Sequence, residues 1–330
     1  MPLFLLIESE YMKKNLKIIS LSFLLPALLV SCMKEGSTKA EVTSFDVPAV
    51  FMANNEEKSG RIESLSYQTK DYILNSEKTE EKELKVYLPY NYDESQKYNI
   101  LYLLHGTDKQ EVDHINTWFD RVKIKDVLDN LIAYEQIDPL IVVCPTFYSY
   151  GLYGDDNVTD IKEATPVKTN SSNNFTYEFR NDILPAVESK YQTYAEDISV
   201  SGFMNSRDHR ALAGLSNGAR ITLHSGIMHN FDYVSSFGVY SSSWDAQEIL
   251  QALNSDAYKD LSLNGFYNAA GIYDFAYNKQ KKMYDELLQS ERFTAENSKF
   301  FPITFGYHSA RSWRVGLYDT LLYLFGGKMA

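Results

Sequence analysis

The stretch Ala211-Leu212-Ala213-Gly214-Leu215-Ser216-Asn217-Gly218-Ala219-Arg220 constrains this chain more than any other. A short apolar run enters Gly-x-Ser-x-Gly, and Ala219, Leu223 and Ile227 then recur at helical spacing. The pattern prescribes a strand, a very tight turn and a helix. Such a turn holds Ser216 in a strained conformation, and Gly214 and Gly218 are needed because a Cβ there would collide across it. The hydroxyl is lifted clear of the sheet and set at a helix N-terminus, where free N–H groups favour developing negative charge.

Further short β-type runs occur at 83–88, 100–104, 140–144, 234–240 and 300–305. Between them, Ile115, Trp118, Phe119 and Val122 repeat at three-to-four spacing, as do Trp313, Leu317, Leu321 and Leu324. Near-continuous apolar strands alternating with amphipathic helices describe an α/β fold, its mainly parallel sheet flanked by helices on both faces. Pro302 fits near a strand start or on an edge strand. The segment 148–175 has no convincing period and reads as a long loop, with Tyr148, Tyr150 and Tyr153 followed by an Asn/Ser cluster at 170–174.

A serine hydroxyl at its ordinary pKa needs a base. The six histidines are His105, His114, His209, His224, His229 and His308. His224 and His229 fall on the helix after the turn, and His209 precedes the serine strand at its far end. His105 directly follows the 100–104 strand. His308, in a loop after the late apolar run 300–305, is best placed. The carboxylate is expected after another strand and between serine and histidine in the chain. Asp274, after the β-type stretch Ala270-Gly271-Ile272-Tyr273 and ahead of a helix near 277–290, fits; Asp245 and Asp285 compete, the latter mid-helix. Acyl transfer also needs oxyanion donors. The backbone N–H of Asn217 is one, and the loop after the 100–104 strand should supply the other at Thr107.

At the N-terminus, Lys13, Lys14 and Lys17 precede an apolar run from Ile18 to Val30. That run falls short of the about 20 residues a membrane span requires and fits a secretory signal. It ends in Leu29-Val30-Ser31-Cys32, similar to a bacterial lipobox, in which Cys32 is lipidated. Met12 suits a start better than Met1, because Glu8 and Glu10 fit no signal. Residues 1–32 are therefore expected to be a lipoprotein signal peptide, 33–60 a polar flexible tether and 61–330 one domain anchored at the bacterial cell envelope, in the periplasm or at the outer surface. A net charge of −12 has the wrong sign for a nucleic-acid binder. Two cysteines exclude a disulfide scaffold and a four-Cys zinc module. Cys144, inside Leu140-Ile141-Val142-Val143, reads as a small buried hydrophobe.

Taken together, these residues resemble the putative-esterase family of α/β-hydrolases. Its members include the feruloyl and acetylxylan esterases of carbohydrate esterase family one, esterase D and the mycolyl antigens. The likeness covers most of 80–326. It runs through the Tyr102–Thr107 strand and turn with Trp118 downstream, Pro145-Thr146, and Phe179-Arg180-Asn181-Asp182-Ile183-Leu184-Pro185. It continues through Ser206-Arg207-Asp208-His209-Arg210-Ala211 into Gly214-Leu215-Ser216, and ends at Gly306-Tyr307-His308 with Ser312-Trp313. The run 206–216 is most similar to the feruloyl esterase modules of bacterial xylanases. Asn217 stands where the family more often has Met, Ala219 where Gly or Ser is common, and Ser309-Ala310 follow the base; all three bear on the acyl group accepted.

The resemblance implies an α/β-hydrolase fold and a serine carboxylesterase acting on feruloyl or acetyl esters of plant polysaccharide or oligosaccharide. Its catalytic residues would be Ser216, Asp274 and His308, with Thr107 and Asn217 at the oxyanion. No metal or cofactor is implied, and the membrane enters only through the lipid. Trp118, Tyr148, Tyr150 and Tyr153 are the candidate substrate contacts. Alternatives are an esterase of a siderophore or another small-molecule ester, an acyltransferase with the same triad, and a glycan-binding surface lipoprotein without catalysis.

Overall fold

The computed structural model describes residues 38–107, 114–153 and 170–326. Residues 1–32, expected to be a signal segment ending at Cys32, lie outside the described residues. Eight strands form one sheet: β1 (Arg61–Lys70), β2 (Thr79–Leu88), β3 (Asn99–Leu104), β4 (Leu140–Cys144), β5 (Arg210–Leu215), β6 (Ser236–Tyr240), β7 (Gly265–Gly271) and β8 (Ser298–Ile303). Their order is β1-β2-β4-β3-β5-β6-β7-β8. The β1–β2 and β2–β4 pairings are antiparallel and all others parallel. The mainly parallel α/β architecture is as expected.

Each central strand is buried on both sides because its alternate side chains feed two separate cores. Ile100, Tyr102 and Leu104 of β3 join Ile141, Val143 and Leu212 in one core, under helix 170–188, helix 217–228, Ala246–Leu253 and Tyr277–Leu287. Leu101 and Leu103 join Leu140, Val142, Ala211 and Ala213 in the other, under Lys125–Ala133 and Ala310–Phe325. That two-sided burial is why these strands read as unbroken apolar runs. Pro302 lies in β8, an edge strand. Cys144 is buried, and burial alone pushes its thiol well up, away from reactivity.

One strand has no counterpart in the sequence analysis, and two expectations need correction. β1 alternates polar and half-buried positions at the opposite edge, so no apolar run announces it. The Asn/Ser cluster starts a helix, Asn170–Glu178, instead of ending a loop. Its poor helix formers have tertiary partners: Asn174 accepts from the Tyr72 N–H and donates to the Lys70 carbonyl, and Ser171 accepts from the Ser149 N–H. The tether reading fails from residue 40 onward. Ala40, Val47 and Phe51 are buried in the second core, the Ala40 N–H donates to Gln136 and the Gly60 N–H to Asp129. These three stand among exposed apolar residues, Val42, Phe45 and Val50, so no regular alternation marks which side chains are buried.

Candidate active site

β5 ends directly in the turn. Ser216 has φ 52° and ψ −112°, a region that non-glycine residues rarely occupy. Its N–H still bonds the Tyr240 carbonyl at 2.8 Å, so the serine is held by the neighbouring strand as the chain reverses. A Cβ on Gly214 would stand 2.4 Å from the Gly218 carbonyl, the collision expected across the turn. Gly218 is required for a different reason: its Cβ would come within 2.2 Å of the His105 carbonyl oxygen at the end of β3. The helix after the turn is wedged against the adjacent strand.

Three side chains from three strand ends converge here. His308 Nε2 lies 3.0 Å from Ser216 Oγ, and its Nδ1 lies 3.0 Å from both oxygens of Asp274. Asp274 follows β7 with its carboxylate fully enclosed. Burial pushes that carboxyl up, but bonds from His308, the Ala276 N–H and the Ser241 hydroxyl outweigh it and hold the group below its ordinary value. An ionised carboxylate only accepts, so Nδ1 carries the imidazole proton and Nε2 accepts from the serine hydroxyl. The competing acids have other work. Asp245 caps Ala246–Leu253 through the Gln247 and Glu248 N–H groups, and Asp285 pairs with Lys281 on an exposed helix face.

Sequence reasoning missed the support around this array. Ser241, at φ 62°, follows β6 and joins Asp274 to Trp313, whose indole donates to Ser241 Oγ at 2.9 Å. The Trp313 ring meets the His308 imidazole edge-on at 5.1 Å, and Phe275 stacks on it at 4.4 Å. The available signal for Ser241 was its place beyond the carboxyl end of a parallel strand, where α/β sheets bind their ligands.

The loop after β3 passes against Ser216: a Cβ on Gly106 would stand 3.3 Å from that of the serine. His105, buried, orders this loop. Its Nδ1 bonds the Gly106 carbonyl at 2.7 Å, so Nδ1 is the donor, and Nε2 faces the Thr146 hydroxyl at 2.9 Å. Burial, reinforced by the neighbouring His114, drives its pKa far down and keeps it neutral. The ring is sandwiched between Phe147 at 4.3 Å and His114 at 4.7 Å. In a trans peptide C=O and N–H point oppositely, so fixing the Gly106 carbonyl fixes the Thr107 N–H. The Asn217 N–H is one of the first amides of helix 217–228, which helix geometry leaves without an intrahelical acceptor.

A family model described as "Putative esterase" matches residues 76–324. The chain belongs to this esterase family. It is 39% identical over 183 residues to endo-1,4-beta-xylanase Y of Acetivibrio thermocellus; the match covers 52% of this chain and 15% of that much longer protein. A feruloyl esterase module from Clostridium thermocellum, a mutant complexed with sinapinate, superposes with a TM-score of 0.70. That alignment has 29% identity and covers 89% of this chain and 98% of the module. A CE1 ferulic acid esterase from Anaeromyces mucronatus shares the fold, with TM-score 0.65, 19% identity and coverage of 86% and 97%.

For this esterase the expected substrate aromatics need revision. Trp118 is wholly buried, and its indole donates to the Leu104 carbonyl at 3.1 Å, so it braces the end of β3 from within the core. Tyr148 is buried against His105, Phe147 and His114. Tyr150 is half-buried, 5.5 Å from Tyr148, and the Tyr153 hydroxyl is committed to Asp71 and Asn174. The four rings do not form one exposed stacking surface, because aromatic bulk here is used to pack the loop onto the sheet.

Proposed function

We propose that this esterase hydrolyses hydroxycinnamoyl (feruloyl-type) esters carried on plant polysaccharide, through an acyl-enzyme on Ser216. One observation carries the proposal: the His308 imidazole bridges Ser216 Oγ and the Asp274 carboxylate at 3.0 Å on each side. Nε2 takes the hydroxyl proton as Oγ attacks the ester carbonyl, and Asp274 stabilises the imidazolium that results. The N–H groups of Thr107 and Asn217 receive the oxyanion, each such donor being worth about 3 kcal/mol in comparable enzymes. The imidazolium returns its proton to the leaving sugar oxygen, and the free sugar hydroxyl departs. Water, deprotonated by His308, then attacks the acyl carbonyl, and the imidazolium returns that proton to Ser216 Oγ as the acyl–oxygen bond breaks and the acid leaves. The substrate class is supported by the feruloyl esterase module and by the xylanase relative.

The test is turnover of methyl ferulate and feruloylated arabinoxylan by the wild type and by Ser216→Ala. The variant is expected to lose at least about 10⁴-fold in kcat. Unchanged turnover would remove the serine from the reaction.

A further inference from the structure

We propose that an exposed aromatic rim beside the triad is a docking site for the neutral sugar chain that carries the ester. Phe45, Tyr273, Phe275, Phe305 and Tyr307 are each between 55 and 79% exposed. Scattered single apolar residues at a surface are ordinary, but a cluster of large ones marks a binding surface. These five come from three segments stitched together by backbone bonds. The Tyr273 N–H donates to the Gly306 carbonyl at 2.9 Å, and the Thr304 N–H to the Ser44 carbonyl at 2.5 Å. Arg311 bonds the carbonyls of Phe45 and Thr304 and lies over the Phe45 ring. Tyr273 and Tyr307 pair at 5.3 Å, and Phe45 meets Phe305 edge-on at 6.5 Å. Phe305 sits at φ 52°, a backbone state that bulky side chains avoid, and it is nonetheless exposed.

The rim is continuous with the catalytic array, since Phe275 stacks on His308 and Tyr307 precedes it in the chain. Its chemistry selects the occupant. Residues 44–45, 272–275 and 304–308 contain no Lys or Arg, their single acid is Asp274 of the triad, and the one cation placed at the rim, Arg311, is committed to the carbonyls of Phe45 and Thr304. The Thr304 hydroxyl donates to that of Ser44 at 3.3 Å, and two of the five rings, Tyr273 and Tyr307, carry hydroxyls of their own. Flat apolar faces interleaved with uncharged hydroxyls match a pyranose chain, which offers C–H faces for stacking and hydroxyl edges for hydrogen bonding. A surface for nucleic acid or anionic lipid would need cations. The inference rests on the polysaccharide ester reading above and adds a subsite for the main chain, apart from the acyl group.

The test uses the full chain. Ser216→Ala protein is run on native gels containing soluble arabinoxylan, with and without Tyr273→Ala/Tyr307→Ala. The double change is expected to weaken retardation about tenfold, and Tyr273→Phe/Tyr307→Phe to keep most of it. In the active enzyme the double alanine variant should hold kcat/KM on p-nitrophenyl acetate within about twofold. On feruloylated arabinoxylan it should lose about tenfold, through KM. Equal retardation, or equal losses on both substrates, overturns the proposal. So does an effect confined to self-association in sedimentation or to flotation with phosphatidylcholine vesicles. Failure of the function proposal looks different: wild type would hydrolyse no feruloyl ester while the gel assay still reported binding.

Discussion

The junction between Gly271 and Gly306 sets the distance from Asp274 to His308, and Gly271→Ala tests it. A Cβ on Gly271 would lie 2.2 Å from the Gly306 carbonyl carbon and 2.6 Å from the Tyr307 nitrogen, against the 3.4 Å at which ordinary contact begins. The obstacle is backbone on both sides, so no side chain can rotate away. The segments must part by about 1.2 Å. The Tyr273–Gly306 bond, 2.9 Å long, ties the Asp274 loop to the His308 loop at this point. A shift of that size carries the His308–Asp274 contact from 3.0 Å to beyond hydrogen-bond range. Misplacing a catalytic group by about 1 Å can cost about 100-fold in rate. Overpacking of this kind costs about 1–3 kcal/mol of stability. We expect kcat on p-nitrophenyl acetate to fall about 100-fold with KM little changed, together with a Tm lower by a few degrees. A variant with the lowered Tm but kcat within twofold of wild type would refute the argument, because the strain would then be absorbed without reaching the imidazole.

His105→Phe keeps the stack on Phe147 but removes the donor to the Gly106 carbonyl. With the 106–107 peptide free to reorient, kcat should drop about 10- to 100-fold at near-constant KM, and an unchanged kcat would show that the loop is held by other contacts. Asp319 is buried, which raises its carboxyl to about 8 despite the bond from the Thr43 N–H. Between about pH 4 and pH 8 the native chain therefore holds a proton that the unfolded chain has lost, and stability falls as pH rises, by at most about 1.4 kcal/mol per unit. Asp319→Asn preserves the acceptor for Thr43 and should raise Tm at pH 8 while leaving it unchanged near pH 4. Parallel Tm curves across that range would exclude the effect.

The convergence of Ser216, His308 and Asp274 was legible because each residue sits where a parallel strand ends, and strand ends are marked by features local in the chain. Gly-x-Ser-x-Gly after an apolar run, a histidine after the last run and an acid after β7 need only their neighbours to be read. The parallel sheet followed from the same kind of signal, since burial on both faces writes itself as continuous apolarity. Elements without a long apolar run did not show: β1 alternates at an edge, and residues 40–60 are held by a few anchors that bond partners some 70 to 280 positions away.

Aromatic roles were decided only in three dimensions. The sequence put Trp118 and Tyr148 among the substrate contacts and gave Tyr273 and Phe275 no role. The fold buries the first pair beneath the β3 loop and exposes the second beside His308. A ring's chemistry is the same in either place. Whether water or a sugar can reach it depends on long-range packing, which no local pattern encodes.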